Sequence, residues 1–308
     1  MANYKNFILF VALAALWGIA FMAIKAGLDY FPPVLFAAIR YDLAAIIMLG
    51  YAWLVSERWI PKTRSDVFAV VIDGVLLVGV YNVLVFLGEQ IVTSAVAAIL
   101  VSLNPILSTV FSRGILPSER LTKAGIGGLF IGFVGVGLVS GLELSELGTN
   151  NIVGQLLIVG AAASFAFGSV AVQLIDDDIS TEGTTAWACV VGAIVIHLTS
   201  FGLGENVTNV TWNIESITAL AYLVVGSSAI GYFIYFDLLE KLGPIEINMV
   251  SYAAPIFAAA SGWLVLGETV TVKTVLGFVL IFAGFSIVKR RQLRDEFIKV
   301  SSEHSSSD

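Results

Sequence analysis

Charge is scarce in this chain. Only 13% of its 308 residues are charged and 58% are hydrophobic, with a mean hydropathy of +0.93. A soluble domain carries about 25% charged residues. No soluble globule has a core that could take up so much apolar surface, which leaves the lipid bilayer as the expected solvent for most of it. Cysteine is nearly absent: Cys189 stands alone, so no disulfide can close within the chain. Histidine is limited to His197 and His304. So few ligating and nucleophilic side chains make neither a Cys/His metal cluster nor a nucleophile–base set for intramembrane chemistry. No metal, no other cofactor and no enzyme is expected. The pattern G-x-x-x-x-G-K-[ST] is missing, so an energy-requiring process would draw on a gradient or on the substrate itself. Positive charge forms no patch, and the net charge is −7 with a pI of about 4.9, which argues against a nucleic-acid partner. The acid collects in Asp176–Asp178, Glu205, Glu215 and the C-terminal tail, as in ordinary acidic loops or on the surface of a halophile's protein.

What is abundant is long apolar runs. A spanning helix needs about 20 largely apolar residues. Ten segments qualify: Phe7–Leu28, Pro33–Val55, Val67–Leu87, Ser94–Ser112, Ala124–Gly141, Ile152–Ile175, Thr185–Phe201, Ile217–Leu238, Ile245–Leu266 and Val272–Val288. The expected fold is an all-α integral membrane protein of ten transmembrane helices. The first run follows Lys5 without a small-residue cleavage site and is read as a span, not a signal peptide. If the N-terminus is cytoplasmic, nearly all the loop and terminal lysines and arginines face inward, among them Arg58, Lys62, Arg64, Arg113, Arg120, Lys241 and Lys289; only Lys273 falls outside. The positive-inside rule therefore puts both termini in the cytoplasm of a multi-pass cell-membrane protein. The polar stretch 291–308 reads as a disordered cytoplasmic tail.

The second half repeats the first. Val101-Ser-Leu-Asn-Pro105-Ile, followed by Glu119-Arg-Leu-Thr and Gly128, returns as Val250-Ser-Tyr-Ala-Ala-Pro255-Ile, then Glu268-Thr-Val-Thr and Gly277. Pro105 and Pro255 are 150 residues apart, Glu119 and Glu268 one fewer. Each half holds five runs, and an odd number forces opposite membrane orientations. The expected domains are 5–141 and 150–290, two inverted five-helix repeats of the kind that expose one central site alternately to each side. Gly and Ala recur through spans 4, 5, 9 and 10, where they allow helix backbones to approach closely in lipid.

Several of these residues resemble the EamA family of the drug/metabolite transporter superfamily. Trp17-Gly18 followed by Phe21-Met-Ala-Ile-Lys25 resembles its opening motif, and Arg40 its second-span arginine. Asn104-Pro105 and Glu119-Arg-Leu-Thr resemble the end of an EamA repeat, and Leu266-Gly-Glu268-Thr resembles it again. The resemblance covers residues 5 to 290. It implies two inverted repeats around a central cavity and transport of amino acids, other metabolites or drugs. The expected function is a secondary transporter, an exporter of amino acids or related small metabolites working by alternating access. A multidrug or organic-cation exporter is the alternative, and a membrane-embedded enzyme or lipid-handling protein is less favoured. The partners are the bilayer and a small-molecule substrate; the oligomeric state, monomer or homodimer, is open.

Polar residues at lipid depth are costly and mark function by default. Pro105 and Pro255 interrupt spans 4 and 9, either freeing carbonyls for substrate or only kinking the helices. Asn248, Tyr252 and Pro255 share one face of span 9, with Ser102, beside Asn104, opposite on span 4. They suit a polar ligand or interhelical hydrogen bonds. Tyr81, Asn82 and Glu89 on span 3 should face Tyr232, Tyr235 and Asp237 on span 8 if the repeat symmetry holds. Trp17 lies too deep for an interfacial belt and reads as a cavity wall or as packing against span 6. Arg40 needs a partner, for which Asp42, Glu89 or a carbonyl would serve, and reads as a structural ion pair in preference to a substrate clamp, while Lys25 can snorkel outward. Asp73 and Asp237 are either proton relays or solvated helix ends.

Overall fold

The computed structural model describes residues 2–115, 123–139, 150–243, 247 and 249–288, and all regular structure among them is helical. The helices are α1 (Ala2–Gly27), α2 (Pro33–Val55), α3 (Arg64–Glu89), α4 (Ser94–Gly114), α5 (Lys123–Val139), α6 (Asn150–Val172), α7 (Thr181–Gly202), α8 (Ile214–Leu242), α9 (Val250–Leu266) and α10 (Val272–Val288). Seven of them, α1–α4 and α6–α8, are long and apolar enough to cross a membrane; α5, α9 and α10 are shorter apolar helices. Each apolar run singled out in the sequence is helical over most of its described residues. The expected count of ten spans exceeds seven by three: the runs of α5 and α9 extend into residues outside the described set, and α10 is only 17 residues long. The tail 291–308 also lies outside it.

Local chemistry sets the helix ends. Thr63 and Asp66 form a reciprocal capping box at the start of α3, and Asn213 and Ser216 form another at α8. Thr93 caps α4 and Ser180 caps α7. The start of α2 has Pro33 in its first turn, and its free N–H groups are taken by a remote group: the Glu205 carboxylate accepts from Val34 N at 3.1 Å and Leu35 N at 2.7 Å. Gly267, at φ 66, closes α9 in the left-handed conformation that glycine adopts without strain.

The helices turn large apolar side chains outward. Leu54, Phe130, Leu264 and Val272 are all at least 70% exposed. A water-soluble surface would not carry so many; hydrocarbon accepts them. The packing has a pairwise pattern. Helix α1 lies along α9, α2 packs on α7 and α5 on α10; α6 lies along both α3 and α4, and α3 packs on α7 as well. Each pair joins one helix from each half of the chain. At the α5–α10 contact a Cβ on Gly135 would stand 2.7 Å from the Gly277 carbonyl oxygen, and one on Gly284 would stand 2.5 Å from that of Gly128. Here the backbones themselves touch, as small residues permit in lipid.

Two helices change pitch. Within α3 the segment Asp73–Val80 is π-helical, and within α8 so is Tyr222–Ile230. Their starts are 149 residues apart, the offset of the sequence repeat. The π form is rare and concentrates at functional sites. Helix α4 is also interrupted, by a turn at Ser102–Leu103.

Candidate functional site

A π segment changes the hydrogen-bond register from i−4 to i−5, so some of its carbonyls become available to side chains. In α8 the Ser227 carbonyl accepts from the indole Nε1 of Trp17 on α1, at 3.2 Å. In α3 the Leu76 carbonyl accepts from Ser164 Oγ on α6 at 2.8 Å, and the Val78 carbonyl from Asn82 Nδ2 at 2.8 Å. Thus α1 donates into the π segment of α8, and α6 into that of α3. Close packing supports the arrangement: a Cβ on Gly231 would lie 2.7 Å from Trp17 Nε1. Tyr222 adds a second link, its hydroxyl donating to the Leu16 carbonyl at 2.9 Å.

An aromatic wall forms around Trp17. Its ring centroid is 6.4 Å from Tyr232 and 5.6 Å from Tyr235, and Tyr232 stacks on Phe236 at 6.0 Å. Trp17 therefore packs against α8 here, whereas the sequence reading offered a cavity wall or a contact with span 6.

Arg40 sits beside this wall. It is 8% exposed, and its Nη2 reaches Ser227 Oγ at 3.3 Å and Ser228 Oγ at 3.4 Å. Its guanidinium lies 5.1 Å from the centre of the Tyr41 ring, and Nε is buried with no hydrogen-bond partner. Neither carboxylate anticipated from sequence forms an ion pair with it. Asp42 binds His197 Nε2 at 2.8 Å, and both carboxylate oxygens of the fully buried Glu89 lack a hydrogen-bond partner. The serines that do contact Arg40 are adjacent residues of the α8 π segment, and no motif singled them out.

Tyr41 is the other residue that sequence reasoning missed. Its hydroxyl accepts from Asn82 Nδ2 at 3.0 Å, so the polar face of α3 is tied to α2. Tyr81 turns instead to Phe165 on α6, with centroids 5.5 Å apart. Tyr41 of α2 thus contacts both Asn82 of α3 and Tyr232 of α8, while Trp17 and Arg40 add further bonds to α8. Lys25 does not point to solvent: its Nζ donates to the carbonyls of Glu89 at 2.6 Å and Val92 at 3.0 Å, covering the C-terminal end of α3.

The proline pair is structurally unequal. Pro105 is the second residue of the helix that restarts after the Ser102–Leu103 turn, where its missing N–H costs nothing. Pro255 stands inside α9, which continues through it. Ser102 is fully buried and bonds its own turn, Oγ to the Ile99 carbonyl at 2.6 Å, whereas Asn104 Oδ1 is buried without a partner. Tyr252 Oη is likewise unpartnered, and Tyr252 lines a groove of about 460 Å3 with Phe7, Phe10, Met249 and Phe282. Asn248 lies outside the described residues. Asp237 pairs with Lys241 one turn on, and Asp73 is half-buried at the start of the α3 π segment. In the α6–α7 connection, burial and the carboxylates of Asp66, Asp178 and Asp176 hold Asp177 above the usual carboxylate range. Among the described residues no group of three or more His, Cys, Asp or Glu side chains could hold a metal ion.

A bundle of apolar helices whose interior carries a buried arginine, unpartnered polar atoms and two matched π segments is built as a multi-pass membrane transporter. The chain belongs to the EamA-like transporter family, whose model matches residues 5–141 and again 152–290. An uncharacterized transporter of Archaeoglobus fulgidus is 28% identical over 94% of this chain and 100% of its own length. The uncharacterized inner membrane transporter YedA of Escherichia coli is 30% identical over 88% of this chain and 87% of its own length. The uncharacterized transporter YoaV of Bacillus subtilis is 26% identical, over 89% and 93% respectively. A solved structure described only as "Crystal structure of protein" matches with a TM-score of 0.65 at 21% identity, over 95% of this chain and 99% of its own. That likeness concerns the fold.

Proposed function

We propose that this transporter is a secondary carrier that exports amino acids or related small metabolites across the cell membrane by alternating access. Its ten helices would span the bilayer as two inverted five-helix repeats with both termini cytoplasmic. The 17 residues of α9 extend about 25 Å, close to the roughly 30 Å of hydrocarbon, so about one further turn would complete such a span. The observation that carries the reading is the cross-bracing of the matched π segments: Trp17 of the first half binds into α8 of the second, and Ser164 of the second binds into α3 of the first. Side chains that swap between halves at corresponding points suit two bodies that rock about a shared site. Polar groups beside an aromatic wall suit a small molecule with both polar and apolar parts. The lining favours amino acids over organic cations, because the buried charge beside the wall is the positive one of Arg40.

The test is counterflow in proteoliposomes preloaded with unlabelled amino acid. Uptake of labelled amino acid that needs the preload and is lost in a Trp17→Ala, Arg40→Gln double variant supports the reading. Counterflow of organic cations alone would replace it with the multidrug alternative.

A further inference from the structure

We propose that Arg40 is the anion-binding residue of the transport site: a substrate carboxylate docks on the Nε–Nη2 edge of its guanidinium, between the hydroxyls of Ser227 and Ser228. The inference rests on the reading of the chain as a metabolite carrier and names the chemical class of its substrate.

Arg40 lies seven residues into α2, about 10 Å along the axis, and is 8% exposed. Taking a guanidinium out of water is compensated only by a counter-charge or by full hydrogen bonding. Arg40 has neither. Among the described residues no carboxylate lies within ion-pair distance of it, and Asp42, two positions along α2, is held by His197 at 2.8 Å. Its two serine contacts, at 3.3 and 3.4 Å, are at the long end of the hydrogen-bond range, and Nε has no partner. The vacant donor and the weakly held one are neighbours on a single edge of the guanidinium, the edge that grips a carboxylate in a two-pronged fork. Serine hydroxyls rotate, so both can turn from accepting the guanidinium N–H to donating to the anion. Ser227 also offers its carbonyl to Trp17, which places the bound carboxylate beside the aromatic wall. The site is asymmetric in the repeat: α7 contains no lysine or arginine to match Arg40.

The experiment uses the full chain purified in detergent and compares leucine, alanine and lactate with leucinamide, alaninamide and lactamide, reading binding by thermal stabilisation and calorimetry. The acids should bind the wild type at least tenfold more tightly than the amides. That preference should disappear in Arg40→Gln, survive in part in Arg40→Lys, which keeps the charge but not the fork, and fall about tenfold in the Ser227→Ala, Ser228→Ala double variant. Equal binding of acids and amides, no binding of either, stabilisation by inorganic phosphate but by none of the carboxylates, or undiminished acid binding in Arg40→Gln would each overturn the proposal. If Arg40→Gln does not fold, Arg40→Lys and the serine variant decide. Counterflow of the same compounds separates the two readings. Transport of amides but not acids defeats the carboxylate site and leaves the carrier standing. Arg40-dependent acid binding without counterflow supports the site and defeats the carrier.

Discussion

Trp17 donates its indole N–H to the main-chain carbonyl of Ser227 across 3.2 Å, joining residues 210 positions apart in the sequence. The bond exists because α8 is π-helical at that point and its register leaves a carbonyl to satisfy. Trp17→Phe keeps an aromatic ring against Tyr232 and Tyr235 but strands the carbonyl, so it should cost about 1–3 kcal/mol. Trp17→Ala also removes the ring and should cost about 3–5 kcal/mol. Thermal melting in detergent measures both, and counterflow should fall in Trp17→Phe even where the protein remains folded. A Trp17→Phe protein with wild-type melting and transport would show that the bond supports neither.

The contact between α5 and α10 has no room for a side chain at its centre. A Cβ on Gly277 would lie 2.6 Å from the Gly135 carbonyl oxygen, and main-chain atoms cannot step aside as a side chain can. Gly277→Val should separate the helices, destabilise the protein by about 1–3 kcal/mol or more, and lower its folded yield. Gly50 has nothing within 4 Å of the same added atom, so Gly50→Ala should be nearly neutral. A folded yield for Gly277→Val equal to that of Gly50→Ala would contradict the tight pairing.

Asp177, in the loop before α7, responds to pH in a direction set by its surroundings. Burial and three nearby carboxylates disfavour its charge, so its pKa in the folded protein is raised. The folded state then holds the proton more tightly than the unfolded chain does. This residue's contribution is most favourable below the ordinary carboxylate pKa, near 4, and is lost as pH rises through the raised folded value. Asp177→Asn should raise the melting temperature slightly at pH 7 and leave it unchanged near pH 3. An equal shift at both pH values would point to a cause other than charge.

Apolar runs and the repeat were legible in the sequence because each follows from local composition: about 20 apolar residues need lipid, and two halves align. The aromatic wall was half legible, since Trp17 and Tyr232 stood out as polar-tipped residues at depth. The π segments were not. Nothing in Asp73–Val80 or Tyr222–Ile230 distinguishes them from an α-helix by composition. Extrapolating the 3.6-residue period through them rotates every later side chain by roughly 100°. For that reason Ser227 and Ser228 escaped notice, and Arg40 was matched with Asp42, Glu89 or a carbonyl when its contacts are hydroxyls on α8; Tyr41 stands on the regular α2, where no motif singled it out. The inequality of Pro105 and Pro255 escaped for a related reason. Two prolines can align in sequence while one starts a helix and the other stands within one.

Orientation in the membrane is set by where lysine and arginine fall, and it can be read directly. The native Cys189 is buried, so a Cys189→Ala background gives a chain with no thiol of its own. Glu57→Cys then places one on the exposed α2–α3 connection, among Arg58, Lys62 and Arg64, and Val207→Cys places one on the α7–α8 connection, where Val207 is 60% exposed. The positive-inside rule puts the first in the cytoplasm and the second outside. A maleimide that cannot cross the membrane should label Val207→Cys in intact cells and Glu57→Cys only after permeabilisation. The reverse pattern would invert the protein and turn the proposed exporter's inner face outward. Equal labelling of both in intact cells would mean that the sparse charge of this chain does not fix a single orientation.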